Sequence, residues 1–155
     1  MHTIAAKAVA FGEALRPEFT EYAQQIVRNA TVLANELKRS GLTLVTGGTS
    51  NHLVLADVYG SFGIDGKTAQ ERLEASGITA NANAIPNDTL PPFRPSGLRL
   101  GTPAVTTRGM KENEIKQIAE WIITAIQTDD PSVHAEIKQK TESLAKSFPL
   151  PHTKS

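Results

Sequence analysis

The run LTLVTGGTSNHLVLADVY, residues 42–59, decides how the chain is built. LTLVTGG and NHLVLADVY are short stretches rich in β-branched and aliphatic residues, and GGTSN between them is turn chemistry. The pattern predicts two strands, paired antiparallel. Upstream the hydrophobic period is helical. Residues 3–14 are Ala-rich without an internal proline, and Pro17 suits the first turn of a second helix. That helix carries Phe19, Tyr22, Ala23, Ile26, Ala30, Leu33, Ala34 and Leu37 at i, i+3, i+4, i+7 spacing, with Lys38, Arg39 and Gly41 suited to its end. Downstream, residues 66–76 read as a short helix and GITANANAI as a strand or extended segment. The four prolines of PNDTLPPFRPSG force a rigid loop. A strand around Arg99 follows, then a helix over Lys111–Thr128 with Thr107 as its expected cap, and a last helix starting near Asp130 or Ser132 before a frayed PLPHTKS tail. Helices at both ends and a small central sheet imply an α+β fold, a mostly antiparallel sheet covered by helices.

Composition narrows the function classes. The chain has 155 residues, one ordinary domain, with Lys+Arg 16 balancing Asp+Glu 16. No nucleic-acid footprint and no polybasic membrane patch is implied. The absence of cysteine excludes disulfides, thiolate metal sites and a Cys nucleophile, and fits a reducing cytoplasm. No apolar run reaches the roughly 20 residues of a membrane span, and MHTIAAKAVAFGEAL, with Lys7 and Glu13 inside it, reads as a structural helix rather than a signal peptide.

Two motifs have simpler explanations. GSFGIDGKT ends like a phosphate loop at Gly66-Lys67-Thr68, but Ser61 stands where the motif needs glycine, so a turn and a helix start account for it. His2, His52, His134 and His152 form no metal-ligand spacing, and no metal is expected; His52 reads as a structural histidine. The Asn29-Ala30-Thr31 triplet lies inside a helix and is discounted as a glycosylation site.

Arg99 resists such a reading. In PSGLRLGTPAVTTRG, residues 95–109, it sits mid-strand with no acidic neighbour in the local sequence. Its guanidinium fork matches a carboxylate with two parallel bonds, and buried without a partner it would cost several kcal/mol. Either a distant Asp or Glu meets it, or a ligand anion does. Gly97 and Gly101 keep bulk away, and the prolyl loop can wall a pocket.

Longer strings carry a family resemblance. NANAIPNDTLPPFRPSGLRLGTPAVTTRGMKENE (81–114), HTIAAKAVAFGEALRPEFTEYAQQIVRNATVLANEL (2–37) and LVTGGTSNHLVLADV (44–58) together resemble the C-terminal portion of serine hydroxymethyltransferase. The resemblance implies the aspartate-aminotransferase fold type. Residues 1–15 would be the end of the large pyridoxal-phosphate domain, and residues 16–155 the small C-terminal domain with its long linking helix. It implies pyridoxal 5'-phosphate as cofactor, tetrahydrofolate as cosubstrate, serine and glycine as substrates, a cytoplasmic setting, and a homodimer or a complementing N-terminal half. Neither nucleic acid nor membrane is implied as partner.

Position by position, Arg99 matches the family's substrate-carboxylate arginine. Asn83 matches a folate-contacting asparagine, and Pro91, Pro92 and Phe93 match its folate-contacting tripeptide. Pro91 could offer only its carbonyl to a hydrogen bond. Ser50 stands where an acidic residue is expected, which puts a local turn contact in doubt. The family's Schiff-base lysine follows Thr-Thr-His, and no lysine here has that context, since His152-Thr153-Lys154 is reversed. The chain is therefore expected to hold no catalytic residue and to be inactive alone, as the product of a truncated or split gene or an incomplete sequence. The alternatives are a non-catalytic interaction or complementation module and a small-carboxylate binding domain.

Overall fold

A computed structural model of the chain describes residues 1–151. Helices α1 (His2–Ala14) and α2 (Pro17–Arg39) lead into strands β1 (Thr43–Leu44) and β2 (Leu53–Asp57), then α3 (Val58–Phe62) and α4 (Gly66–Ala75). Strands β3 (Asn81–Asn83) and β4 (Gly97–Gly101) follow, then α5 (Pro103–Thr107), α6 (Glu112–Gln127) and α7 (Pro131–Ser147). The sheet order is β1-β2-β4-β3 and every pairing is antiparallel. The α+β class, the antiparallel β1–β2 pair and the prolyl loop over 84–96 all match the sequence reading.

Local chemistry explains the boundaries. Pro17 occupies the first turn of α2. The helix stops where Gly41 takes φ 89°, with Gly41 N–H donating to the Lys38 carbonyl and Leu42 N–H to that of Leu37. Asp65 and Asp130 cap α4 and α7. The expected cap at Thr107 is not found. Residues 103–107 form α5 instead, started by Pro103, and α6 begins after Lys111, whose N–H donates to the Glu114 carboxylate at 2.8 Å. The short α3 also escaped the sequence reading, because a single turn leaves no periodic signature.

The core lies between one face of the sheet and the helices. Leu44, Val54, Ala56, Leu98 and Leu100 point inward and meet Leu33, Ala34 and Leu37 of α2, Leu73 of α4, Ile115, Ile122 and Ile126 of α6, and Ile137 of α7. One polar clamp is buried with them. Asn29 Nδ2 donates to the Thr106 hydroxyl at 2.9 Å and to the Met110 carbonyl at 3.0 Å, and its Oδ1 accepts from Gln25. This buried role also rules against glycosylation there. Asn29→Ala leaves those groups unpaired and is expected to cost about 2 kcal/mol, a fall in Tm of roughly 4–8 °C by calorimetry. By contrast α1 adds nothing to the core: none of its residues is buried, and Ile4, Val9, Phe11 and Leu15 are exposed.

Candidate functional site

The second face of the sheet is open. Strand register pairs Arg99 of β4 with Leu55 of β2 on one side and Asn81 of β3 on the other. Directly opposed residues share a face, so Leu53, Leu55, Asp57, Asn81, Asn83, Gly97 and Gly101 lie on the Arg99 side. The residues between them, Val54, Ala56, Leu98 and Leu100, face the core. The alternation is what exposes Arg99, and it corrects the expectation of a charge inside a buried strand: no desolvation cost arises.

Among the described residues no acid takes the guanidinium. Asp57, the acid on the same face, instead accepts from Gly60 N–H at 2.7 Å as the cap of α3. The Arg99 guanidinium makes no hydrogen bond and no ion pair with any described residue and is exposed to solvent. Asn83 is its diagonal neighbour across the β3–β4 pair, at the roughly 7–8 Å typical of that relation. Asn83 is half-buried, and its Nδ2 donates to the Ala84 carbonyl at 2.7 Å.

The loop of residues 84–96 joins β3 to β4 and is heavily pinned. The Asp88 carboxylate accepts from Ile85 N–H, Leu90 N–H, Ser96 N–H and the Ser96 hydroxyl, at 3.2, 2.9, 2.9 and 2.6 Å. The Ser96 hydroxyl and N–H, then that of Leu90, hold this carboxyl far below the usual carboxylate range. Arg94 pairs with Asp65 at 2.7 Å, and the Pro95 carbonyl accepts from Gly66 N–H at 2.7 Å. Arg94 N–H donates to the Pro91 carbonyl at 2.9 Å, so that carbonyl is already engaged in a turn with Pro92 and Phe93 at its corner. Pro91, Pro92 and Phe93 are exposed, Phe93 at 77%. The structure thus brings Asn83 and Arg99 onto one face and carries the tripeptide on the loop between their strands.

Asp65 shows why the Gly-Lys-Thr motif is not a phosphate site. Its carboxylate accepts from Thr68 N–H and the Thr68 hydroxyl, both at 3.0 Å, and fills the N-terminus of α4. Partial burial opposes its charge, but hydrogen bonds from Arg94 and Thr68 outweigh that and lower its pKa to about 2. A depressed folded pKa means stability present above the unfolded value and lost on acidification. Protonating Asp65 is therefore expected to release the loop between about pH 4 and pH 2, and Asp65→Asn to remove that step from an acid unfolding curve.

Neither Asp88, Asp65 nor Arg94 was singled out from sequence. The Pro-Asn-Asp step before a proline-rich run was the available signal for an Asx-type turn. The histidines do not gather: His134 is buried against the Ser76 hydroxyl at 2.9 Å, His52 and His2 are exposed, and His152 lies outside the described residues. No group of three potential metal ligands occurs among the described residues. No helix among them is long and apolar enough to cross a membrane.

These residues do not fit pyridoxal phosphate by themselves. The Arg99 face presents no lysine, and the helix N-terminus beside the loop is filled by its own carboxylate.

Comparison with known proteins places the chain in a family. The family model for serine hydroxymethyltransferase matches residues 1–122. A serine hydroxymethyltransferase of Acidobacterium capsulatum is 52% identical over 151 residues, which is 97% of this chain and 35% of that protein. The chain thus spans about a third of the length of this curated relative.

Proposed function

The chain belongs to the serine hydroxymethyltransferase family, and from that premise we propose that it supplies the substrate contacts for hydroxymethyl transfer between serine and tetrahydrofolate. The observation that carries this is Arg99, a guanidinium on an open sheet face with no partner among the described residues. Two parallel charge-assisted bonds from it would hold an amino-acid carboxylate at a fixed angle. With the carboxylate fixed, the bonds at the α-carbon lose their rotational freedom, which lowers the barrier by orientation rather than by bond chemistry. Asn83 and the Pro91–Phe93 corner are placed in this reading against the folate cosubstrate, which accepts the one-carbon unit as serine becomes glycine.

Pyridoxal phosphate and the lysine that holds it belong, in this reading, to residues outside this chain. Residues 1–15 serve as the end of the large domain, whose cover over Ile4, Val9, Phe11 and Leu15 would remove exposed apolar surface from more than one side of α1. Residues 16–155 are the small domain and its linking helix. A dimer or a complementing N-terminal half in the cytoplasm completes the assembly.

The test is a graft in which this chain replaces the matching third of the A. capsulatum relative. The folded graft is expected to interconvert serine and glycine with tetrahydrofolate, whereas the chain alone does not. A folded graft without turnover refutes the proposal. Saturable sub-millimolar binding of glycine by the isolated chain would instead favour a free-standing carboxylate-binding domain.

A further inference from the structure

The prolyl loop is held from inside by a single carboxylate, and its partners straddle the candidate site. Ile85 lies two residues beyond Asn83 at the end of β3, and Ser96 lies three residues before Arg99 at the start of β4. The Asp88 carboxylate accepts from both, and from Leu90 N–H just before the Pro91–Phe93 corner. One anion therefore ties together the strand end bearing Asn83, the strand start bearing Arg99 and the segment bearing the tripeptide.

The surroundings give this hub little slack. A Cβ on Gly97 would stand 2.5 Å from the Asn83 carbonyl oxygen and 2.6 Å from Ile85 Cγ2, so the two chain segments are already in close contact. The Ser96 carbonyl accepts from Val58 and Tyr59 N–H, both at 3.1 Å, which anchors the hub to α3. Asn87 beside it takes φ 59°, the left-handed turn conformation that asparagine tolerates. Side chains locked by such surrounding bonds hold a binding geometry better than a free loop can.

We infer that Asp88 is a positioning residue, which fixes the Pro91–Phe93 corner relative to Arg99 and so sets affinity for the folate cosubstrate without touching it. This inference rests on the functional reading above. It separates two roles within one site: Arg99 governs the amino acid, and Asp88 acts through the loop on the cosubstrate.

The variants are Asp88→Asn and Ser96→Ala, made in the graft. Asp88→Asn keeps the shape, but its amide nitrogen must face groups that are themselves donors. Ser96→Ala removes only the hydroxyl bond and is the milder change. Asp88→Asn is expected to raise the KM for tetrahydrofolate at least tenfold while the KM for serine stays within twofold. Ser96→Ala should shift the same constant by about threefold, so the inference stays testable if Asp88→Asn does not fold. A KM for tetrahydrofolate unchanged in both folded variants, or serine and folate constants rising together, overturns it. Arg99→Ala in the same graft tells the two failures apart. If Arg99→Ala weakens serine and Asp88→Asn leaves folate alone, only the positioning role falls. If Arg99→Ala leaves serine untouched, the functional reading itself is wrong.

Discussion

Arg99→Ala in the graft is expected to lose on the order of a hundredfold or more in kcat/KM for serine. Hydrogen bonds to charged groups contribute roughly 1.5–3 kcal/mol, and a carboxylate held by a guanidinium fork loses two at once. A loss of about 3 kcal/mol in transition-state stabilisation corresponds to that factor. Arg99→Lys keeps the charge but not the planar fork, and should recover only part of the activity. Stability separates this effect from misfolding. The Arg99 side chain is exposed and makes no bond among the described residues, so its removal should leave stability within about 0.5 kcal/mol. Steady-state kinetics and thermal melts on the same preparation check both statements.

Gly66→Ala should produce the largest loss of stability. A Cβ there would run into the Gly97 carbonyl oxygen and stand 3.0 Å from the Pro95 carbonyl oxygen. Both obstacles are backbone, and Pro95 is already bonded to Gly66 N–H, so neither can move aside without breaking the loop from α4 or shifting β4. Overpacking costs typically 1–3 kcal/mol, and a rigid obstacle puts this case at the upper end, about 3 kcal/mol. Tm should fall by roughly 6–12 °C in a chain of this size. Gly12→Ala is the control. That glycine lies inside α1 with nothing within 4 Å of the added carbon, so alanine there should leave Tm unchanged or raise it.

Much of this architecture was legible from period and punctuation. The α2 stripe of Ala30, Leu33, Ala34 and Leu37 is buried as its spacing required, and the proline-rich run could be nothing but a loop. The short elements were not legible. α3 and α5 span a single turn each, and the residues that start them, the cap Asp57 and the first-turn Pro103, look like ordinary strand-end and loop residues in sequence. The burial of Arg99 was misread for a related reason. Its flanking leucines face the core, and only the register with Leu55 and Asn81 shows that the residue between them faces out. The loop network around Asp88 was invisible because its partners are mostly backbone N–H groups, which carry no residue-type signature.

The central claim concerns a carboxylate, and a substrate without one tests it most directly. Serine and serinamide differ only in that group, so the ratio of their kcat/KM values in the graft reports the grip of Arg99. The account predicts a ratio well above ten with Arg99 present, collapsing toward one in Arg99→Ala. A ratio that stays the same when the guanidinium is removed would contradict it.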